Sequence, residues 1–395
     1  MALPDRDWNF PTRIRFGNGR LRELADATVA AGIQRPLLVT DSGLSSLSFV
    51  EHSRERLTRA GLGDAFYGEV AGNPAEQHVL AGIAAFLEHD CDGVIGIGGG
   101  SALDCAKSIA LAARQNRPLF DFEDVGDNWT RADSALIAPC IAIPTTAGTG
   151  SEVGRAAVIL DETSQIKRLL FHPLMLPALV ISDPELTLGL PANITAWTGV
   201  DAFVHALEAW CAPGYHPMAE GIAVEAMRMV LRWLPQAVDD GSNLEARGHM
   251  LVAASMGATA FQKGLGSIHS LSHVLGARYH LHHGLTNAIV MPYGLARNAR
   301  YLDTRMEALC SALGIAGETT RALVEQLQRF TAELKIPNSL SELETTFDLS
   351  EAAVSDIGAA ALVDPSTPTN AGPIDADELG ELYRDAVLGT VDFSS

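Results

Sequence analysis

Hydrophobic and polar positions along the chain follow two patterns, which change near residue 190. Before that point short apolar runs recur at residues 36–40, 65–70, 94–97, 140–143, 156–160 and 179–181. Amphipathic stretches lie between several of them, at 21–31, 44–60, 76–89 and 102–114. Short strands alternating with helices of this length predict βα units and a mostly parallel sheet. Strands that are apolar throughout suit a sheet covered on both faces. Beyond residue 190 the strand signal disappears, and helical spacing runs through 194–210, 218–237, 244–261, 319–335 and 376–388. Pro191 and Pro217 stand where helices would begin, a position that tolerates a missing backbone N–H. The pattern predicts an α/β domain over residues 1–187 and an all-helical domain over residues 188–395.

Composition narrows the function classes. The 395 residues leave room for two or three domains, and 47% hydrophobic content excludes a disordered or fibrous chain. With 48 acidic and 28 basic residues the net charge is −20, which argues against non-specific binding of nucleic acid or an anionic membrane. The acidic excess reads as a solubility feature. Five scattered cysteines without a CxxC are no disulfide framework, so a reducing, cytoplasmic setting is expected. The first ten residues, MALPDRDWNF, are charged and hold no apolar core, so no signal peptide is expected. No long uncharged apolar run predicts a membrane span.

Two small-residue loops carry candidate chemistry. Residues 94–110 read VIGIGGGSALDCAKSIA: an apolar strand runs into Gly98, Gly99 and Gly100, with Ser101 as a plausible N-cap and Asp104 three residues on. Glycines there admit close backbone approach, and the following helix N-terminus offers N–H groups to a phosphate. The segment is not a GxGxxG fingerprint, because Ser101 stands at the third glycine position, and a plain tight turn is the competing reading. Residues 143–153 read IPTTAGTGSEV, a second loop of small donors including Thr145, Thr146 and Ser151. Two such loops after two strands of one sheet should meet at its C-terminal edge, where open α/β sheets bind ligands. Asp41, ending the strand PLLVTD, could accept hydrogen bonds from ribose hydroxyls and repel a 2′-phosphate. Its alternative is a turn or helix cap.

The polar content of the second half is concentrated in histidines. Five of the chain's 12 fall between residues 269 and 283: His269, His273, His280, His282 and His283. His269 and His273 share a helix face, and Gly276 and Gly284 let the chain turn so that one of the later three could return to the same place. Upstream, Asp201 and His205 are again four apart on a stretch that is otherwise apolar. A buried carboxylate needs a partner, and a divalent ion is one, an Asp201–His205 ion pair being the other. One carboxylate with two or more imidazoles suits Fe²⁺, Zn²⁺, Co²⁺ or Ni²⁺ and is too nitrogen-rich for Mg²⁺ or Ca²⁺.

Together these residues resemble the iron-containing (group III) alcohol dehydrogenases. The family pattern GGGSxxDxxK is matched by Gly98, Gly99, Gly100, Ser101, Asp104 and Lys107, and PTTxGTGSE by Pro144 through Glu152. A strand-end DPEL follows at Asp183 through Leu186, then DxxxH at Asp201 and His205, and HxxxHxLG…HG from His269 to Gly284. The resemblance implies a Rossmann-like domain followed by a helical one, the fold shared with dehydroquinate synthase. It implies metal ligands at Asp201, His205, His269 and His283, with His273 near the nicotinamide as a candidate catalytic residue and proton relay. With Asp41 it places NAD on Gly98, Gly99, Gly100, Ser101, Asp104, Thr145, Thr146, Ser151 and Lys167, with the active site in the cleft between the domains. Asn370 through Pro373 match the family's late Asn-Pro segment only loosely.

The activity implied is NAD-dependent interconversion of an alcohol with its aldehyde or ketone, with iron or zinc as the metal and a homodimer as the assembly. A lyase or cyclase similar to dehydroquinate synthase, a transhydrogenase with tightly held cofactor, and a non-redox binding protein are the alternatives. Arg155, Arg168, Lys263 and Arg278 lie near the motifs, either as attractors of an anionic substrate or as solvated charges.

Overall fold

The computed structural model describes residues 12–164 and 166–393, and these fall into two compact units that part between Gly189 and Leu190. The first unit is built from strands β1 (Ile14–Phe16), β2 (Pro36–Asp41), β3 (Phe66–Val70), β4 (Gly93–Gly98), β5 (Cys140–Pro144), β6 (Ala156–Asp161), β7 (Ile166–Phe171) and β8 (Leu179–Ser182). Its helices are α1 (Leu24–Ala30), α2 (Ser48–Arg59), α3 (Glu76–Glu88) and α4 (Gly100–Ala112). Six strands form one parallel sheet in the order β1-β8-β5-β4-β2-β3. Every residue of β4 and β5 is buried, because helices cover both faces. Alternate side chains serve two cores. Leu37, Val39, Val94 and Cys140 pack with α3 and α4, while Leu38, Ile95, Ile97 and Ile141 pack with α1 and α2.

Two sequence expectations are corrected here, and one strand was not anticipated. The run at 156–160 is a strand, but it leaves the parallel sheet and pairs antiparallel with β7 as a separate hairpin. β7 (IKRLLF) escaped notice because its polar and partly exposed positions break the apolar run. Ser101 does not cap α4: Gly99 holds that position without a side-chain cap, and the Ser101 hydroxyl donates instead to the Gly72 carbonyl at 2.6 Å.

The second unit is helical throughout: α5 (Ala192–Cys211), α6 (Pro217–Asp239), α7 (Leu244–Ala260), α8 (Ser267–Tyr279), α9 (His283–Arg297), α10 (Ala299–Leu313), α11 (Thr320–Glu333), α12 (Glu351–Leu362) and α13 (Ala376–Leu388). Pro191 is the N-cap of α5, and Pro217 is the first residue of α6. α5 packs against α6, α7 and α9 and is buried almost from end to end. It therefore lacks the polar outer stripe of a surface helix. No helix among the described residues is long and apolar enough to cross a membrane. All five cysteines are buried and unpaired, and burial pushes the Cys211 thiol up to about 12.

Lys107, 1% exposed, braces the first unit from within. Its ammonium donates to the Ser151 carbonyl at 3.0 Å and to that of Ala156, and lies 3.2 Å from Asp104. Lys107→Met keeps the aliphatic stem and removes the charge. We expect it to lower stability by about 3 kcal/mol, since Asp104 then loses its counter-charge. Chemical denaturation checks this; a loss below about 1 kcal/mol, the range of exposed pairs, would show that the brace carries little.

Candidate metal centre and cofactor loops

Asp201 and His205 project from one face of α5, His269 from the first turn of α8, and His283 from the first residue of α9. Their ligating atoms all lie within 4.8 Å of one another. Asp201 Oδ1 is 3.9 Å from His269 Nε2 and 3.6 Å from His283 Nε2. Four donors about 2.1 Å from a shared tetrahedral ion stand about 3.4 Å apart, so small side-chain adjustments close the shell. The His205 and His269 rings stack with centroids 4.7 Å apart. Close helix contact makes this possible: a Cβ on Gly284 would lie 2.4 Å from the Trp197 carbonyl oxygen, so α9 meets α5 main chain to main chain.

Charge supports the same reading. Asp201 and Glu208 are both buried on α5, and among the described residues neither forms an ion pair with Lys or Arg. Two buried carboxylates among imidazoles leave a charge that a divalent cation balances. Asn287, one turn beyond His283, donates from Nδ2 to Asp201 Oδ1 at 2.8 Å. The same amide nitrogen lies 3.2 Å from His269 Nε2 and 3.1 Å from His283 Nε2, so the lone pairs of all three groups converge on one point. The donor set fits the metal.

The remaining histidines separate. His280 is the exposed, left-handed C-cap of α8 with φ 55°, and His282 caps α9 by accepting from Leu285 N. Neither joins the cluster. His273 stacks on His283, with centroids 5.1 Å apart, and its Nδ1 lies 2.9 Å from Asp364 Oδ2. Burial raises the Asp364 pKa, but the His273 charge and hydrogen bond outweigh it and hold the carboxyl below its ordinary value. Burial likewise lowers the His269 pKa, yet the hydrogen bond and charge of Glu208, with Asp201, carry it above the usual imidazole value.

Sequence reading missed Glu208, Asn287 and Asp364. Glu208 was detectable, since it follows Asp201 and His205 at the i+7 position of one helix face. Asn287 sits four residues after His283 and offered a similar sign. Asp364 comes from a distant loop and offered none.

In the first unit β2 and β4 are neighbours whose chains continue to opposite sides of the sheet, β2 towards β3 and β4 towards β5. That reversal is where open α/β sheets bind ligands. Asp41 ends β2 and Gly98 ends β4; a Cβ on Gly98, whose φ is +152°, would lie 3.1 Å from Asp41 Oδ2. The two small-residue loops lie together: Thr145 N donates to the Gly98 carbonyl at 3.0 Å, and Cβ atoms on Gly99 and Gly100 would meet Thr146 at 3.3 Å and Thr149 at 2.6 Å. Asp104 faces the protein, accepting from the Ser151 hydroxyl at 2.6 Å and Val158 N at 2.9 Å. It and Ser151 shape the loop. Asp41 Oδ1 accepts from Gly43 N and Leu44 N, each at 3.0 Å, and burial raises its pKa against those two bonds. Lys167 lies on the β6–β7 hairpin, paired with Leu160.

The four basic residues near the motifs have partners inside the protein. Arg168 pairs with Asp161 and Glu123, Lys263 with Glu220, and Arg278 with Asp356, while Arg155 covers the Phe171 ring.

The model of the iron-containing alcohol dehydrogenase family matches residues 11–184, and that of the Fe-containing alcohol dehydrogenase family C-terminal domain matches residues 195–387. Among curated proteins, 4-hydroxybutyrate dehydrogenase of Cupriavidus necator is 38% identical over 91% of this chain and 94% of its own. NAD-dependent methanol dehydrogenase of Bacillus methanolicus is 32% identical over 95% of this chain and 98% of its own. A crystal structure of 1,3-propanediol oxidoreductase superposes with a TM-score of 0.89 at 30% identity, covering 96% of this chain and 99% of that one. Sulfoacetaldehyde reductase of Bifidobacterium kashiwanohense, solved with NAD⁺, gives 0.84 at 27% identity, covering 96% and 98%.

A hard contact at Gly284 should be measurable. Gly284→Ala forces α9 away from α5, and we expect a stability loss of about 1–3 kcal/mol, the usual range for overpacking. Cobalt titration of the folded variant should show weaker binding; unchanged stability and affinity together would refute the contact's role in spacing the ligands.

Proposed function

We propose how this chain, which belongs to the iron-containing alcohol dehydrogenase family, carries out its chemistry. It is an NAD-dependent oxidoreductase that interconverts an alcohol CH–OH group with the corresponding carbonyl. The observation that carries the site assignment is the convergence of Asp201, His205, His269 and His283 from three helices. In this reading they hold a divalent ion, ferrous iron or zinc. When bound, that ion supplies Lewis acidity to the substrate oxygen. NAD supplies the hydride acceptor at the nicotinamide.

The chain's own residues do the rest. Asp201 would offset part of the ion's charge, and the imidazoles of His205, His269 and His283 would complete the set of donors that holds it. His273 hands on the alcohol proton: Asp364 accepts from its Nδ1–H, leaving Nε2 to take up and release a proton. Gly98, Gly99, Gly100 and Ser101, with Thr145 and Thr146, line the pyrophosphate turn, where the amides of α4 face the phosphates. Asp41 accepts from the adenosine ribose, Asp104 and Ser151 hold the loop in shape, and Lys167 contributes from its hairpin. The enzyme acts in the cytoplasm as a homodimer. Five unpaired thiols suit a reducing compartment, and the family resemblance supplies the dimer.

Two experiments test this reading. His269→Ala should abolish turnover and bound metal, measured by mass spectrometry, while NAD binding by the first unit persists. Stoichiometric metal with normal turnover in that variant would refute the ligand assignment. Cofactor choice tests Asp41. At about 4 Å two like charges repel by about 4 kcal/mol at an effective dielectric of about 20, and about 1.4 kcal/mol is already tenfold. The wild type should favour NAD over NADP by at least about tenfold in kcat/KM. Asp41→Gly should narrow that ratio and also cost about 1 kcal/mol of stability, because the turn loses its side-chain acceptor. An unchanged ratio with the stability loss would mean that Asp41 only shapes the turn.

A further inference from the structure

Glu208 is a carboxylate deep in the helical unit, and its surroundings are unusual for a charge. Its Oε1 accepts from Ile268 N at 2.9 Å, and its Oε2 lies 3.4 Å from His269 N and 2.6 Å from His269 Nδ1. The first two contacts satisfy backbone donors at the start of α8, which lacks a capping side chain of its own because Gly266 holds the N-cap. The third contact does something different. A neutral imidazole carries one proton, and a carboxylate facing Nδ1 holds that proton on Nδ1. Nε2 is then left with its lone pair directed at Asp201 and His283, where the other donors converge.

We propose that Glu208 is the positioning residue of the metal centre: it selects the His269 tautomer and ring orientation that can ligate, and ties both to the start of α8. The inference rests on the ligand reading given above. Glu208 touches neither substrate nor cofactor and acts entirely through His269. A carboxylate is required because both oxygens accept. A glutamine offers one oxygen and one NH₂, so either the helix start loses its acceptor or the amide donates to Nδ1. In the second arrangement the imidazole proton moves to Nε2 and occupies the lone pair the metal needs.

A plain capping role predicts only lost stability, and a neighbouring residue supplies that control. Asn370 Oδ1 accepts from Ser267 N at 3.1 Å, one residue before the Glu208 contacts, without reaching His269. Glu208→Gln and Asn370→Ala should both lower the melting temperature. Only Glu208→Gln should weaken Co²⁺ binding, by about 10–100-fold as for other partners of metal-bound histidines. It should also alter the visible spectrum of the bound cobalt.

A measurement on the unmodified, metal-stripped protein guards against a variant that fails to fold. ¹⁵N-histidine NMR at a pH where the ring is neutral should place the His269 proton on Nδ1. Equal weakening of Co²⁺ binding in both variants, undiminished affinity in Glu208→Gln, or a proton on Nε2 in the wild type would each overturn the inference. Wild-type protein that takes up no Co²⁺ would instead bring down the ligand reading itself, which distinguishes the two failures.

Discussion

The buried carboxylate of Glu208 has to find hydrogen bonds inside the protein, and where it finds them organises the helical unit. Its acceptors meet the start of α8 and the ring of His269 together, so one group fixes where a helix begins and where a side chain on that helix points. The same helix α5 carries His205 and Asp201 one and two turns earlier, so three functional groups share a single rigid rod. Asn370 and Asn298 bond each other and the α8 N-terminus one residue earlier, away from the donor cluster. A site assembled in this way has little freedom to relax, and donors converging on a small ion need that rigidity.

The first unit solves a different problem with different materials. In the proposed reading backbone amides would meet a pyrophosphate, which calls for small loops held in shape from behind. Gly98 to Gly100 lie against Thr145 to Thr149 with no space for side chains between them. Asp104 and Lys107 supply the support, reaching from α4 to Ser151, Val158 and Ala156. Two charged residues of a recognisable motif thus serve the loop's geometry.

How legible all this was in the sequence follows from distance along the chain. The strands β2, β4, β5 and β8 announced themselves because a sheet covered on both faces needs apolar residues at every position. Helix periodicity put Asp201 beside His205 and the crowding of histidines marked residues 269–283, but only the family resemblance chose His283 over His280 and His282. Asp364 gave no sign, since it reaches His273 from a loop 91 residues away along the chain. The β6–β7 hairpin was misjudged for a related reason: an apolar run reveals a strand but says nothing about which strand it will pair with. Ser101 showed the limit of capping rules, because its hydroxyl found a carbonyl across the fold before it could serve its own helix.

The contact between Gly284 and the carbonyl of Trp197 has a consequence for ion choice. Side chains can bend by a few tenths of an ångström, but two backbones already touching cannot come closer, and His283 rides on one of them while Asp201 rides on the other. In the proposed site the span between those two side chains would be held by the close approach of α9 to α5. A cavity of fixed gauge lined by nitrogens favours ions with bonds near 2.1 Å and is a poor host for calcium, which asks for about 2.3–2.6 Å and six or more oxygens. Between ions of nearly equal radius, such as iron and zinc, the gauge is blind.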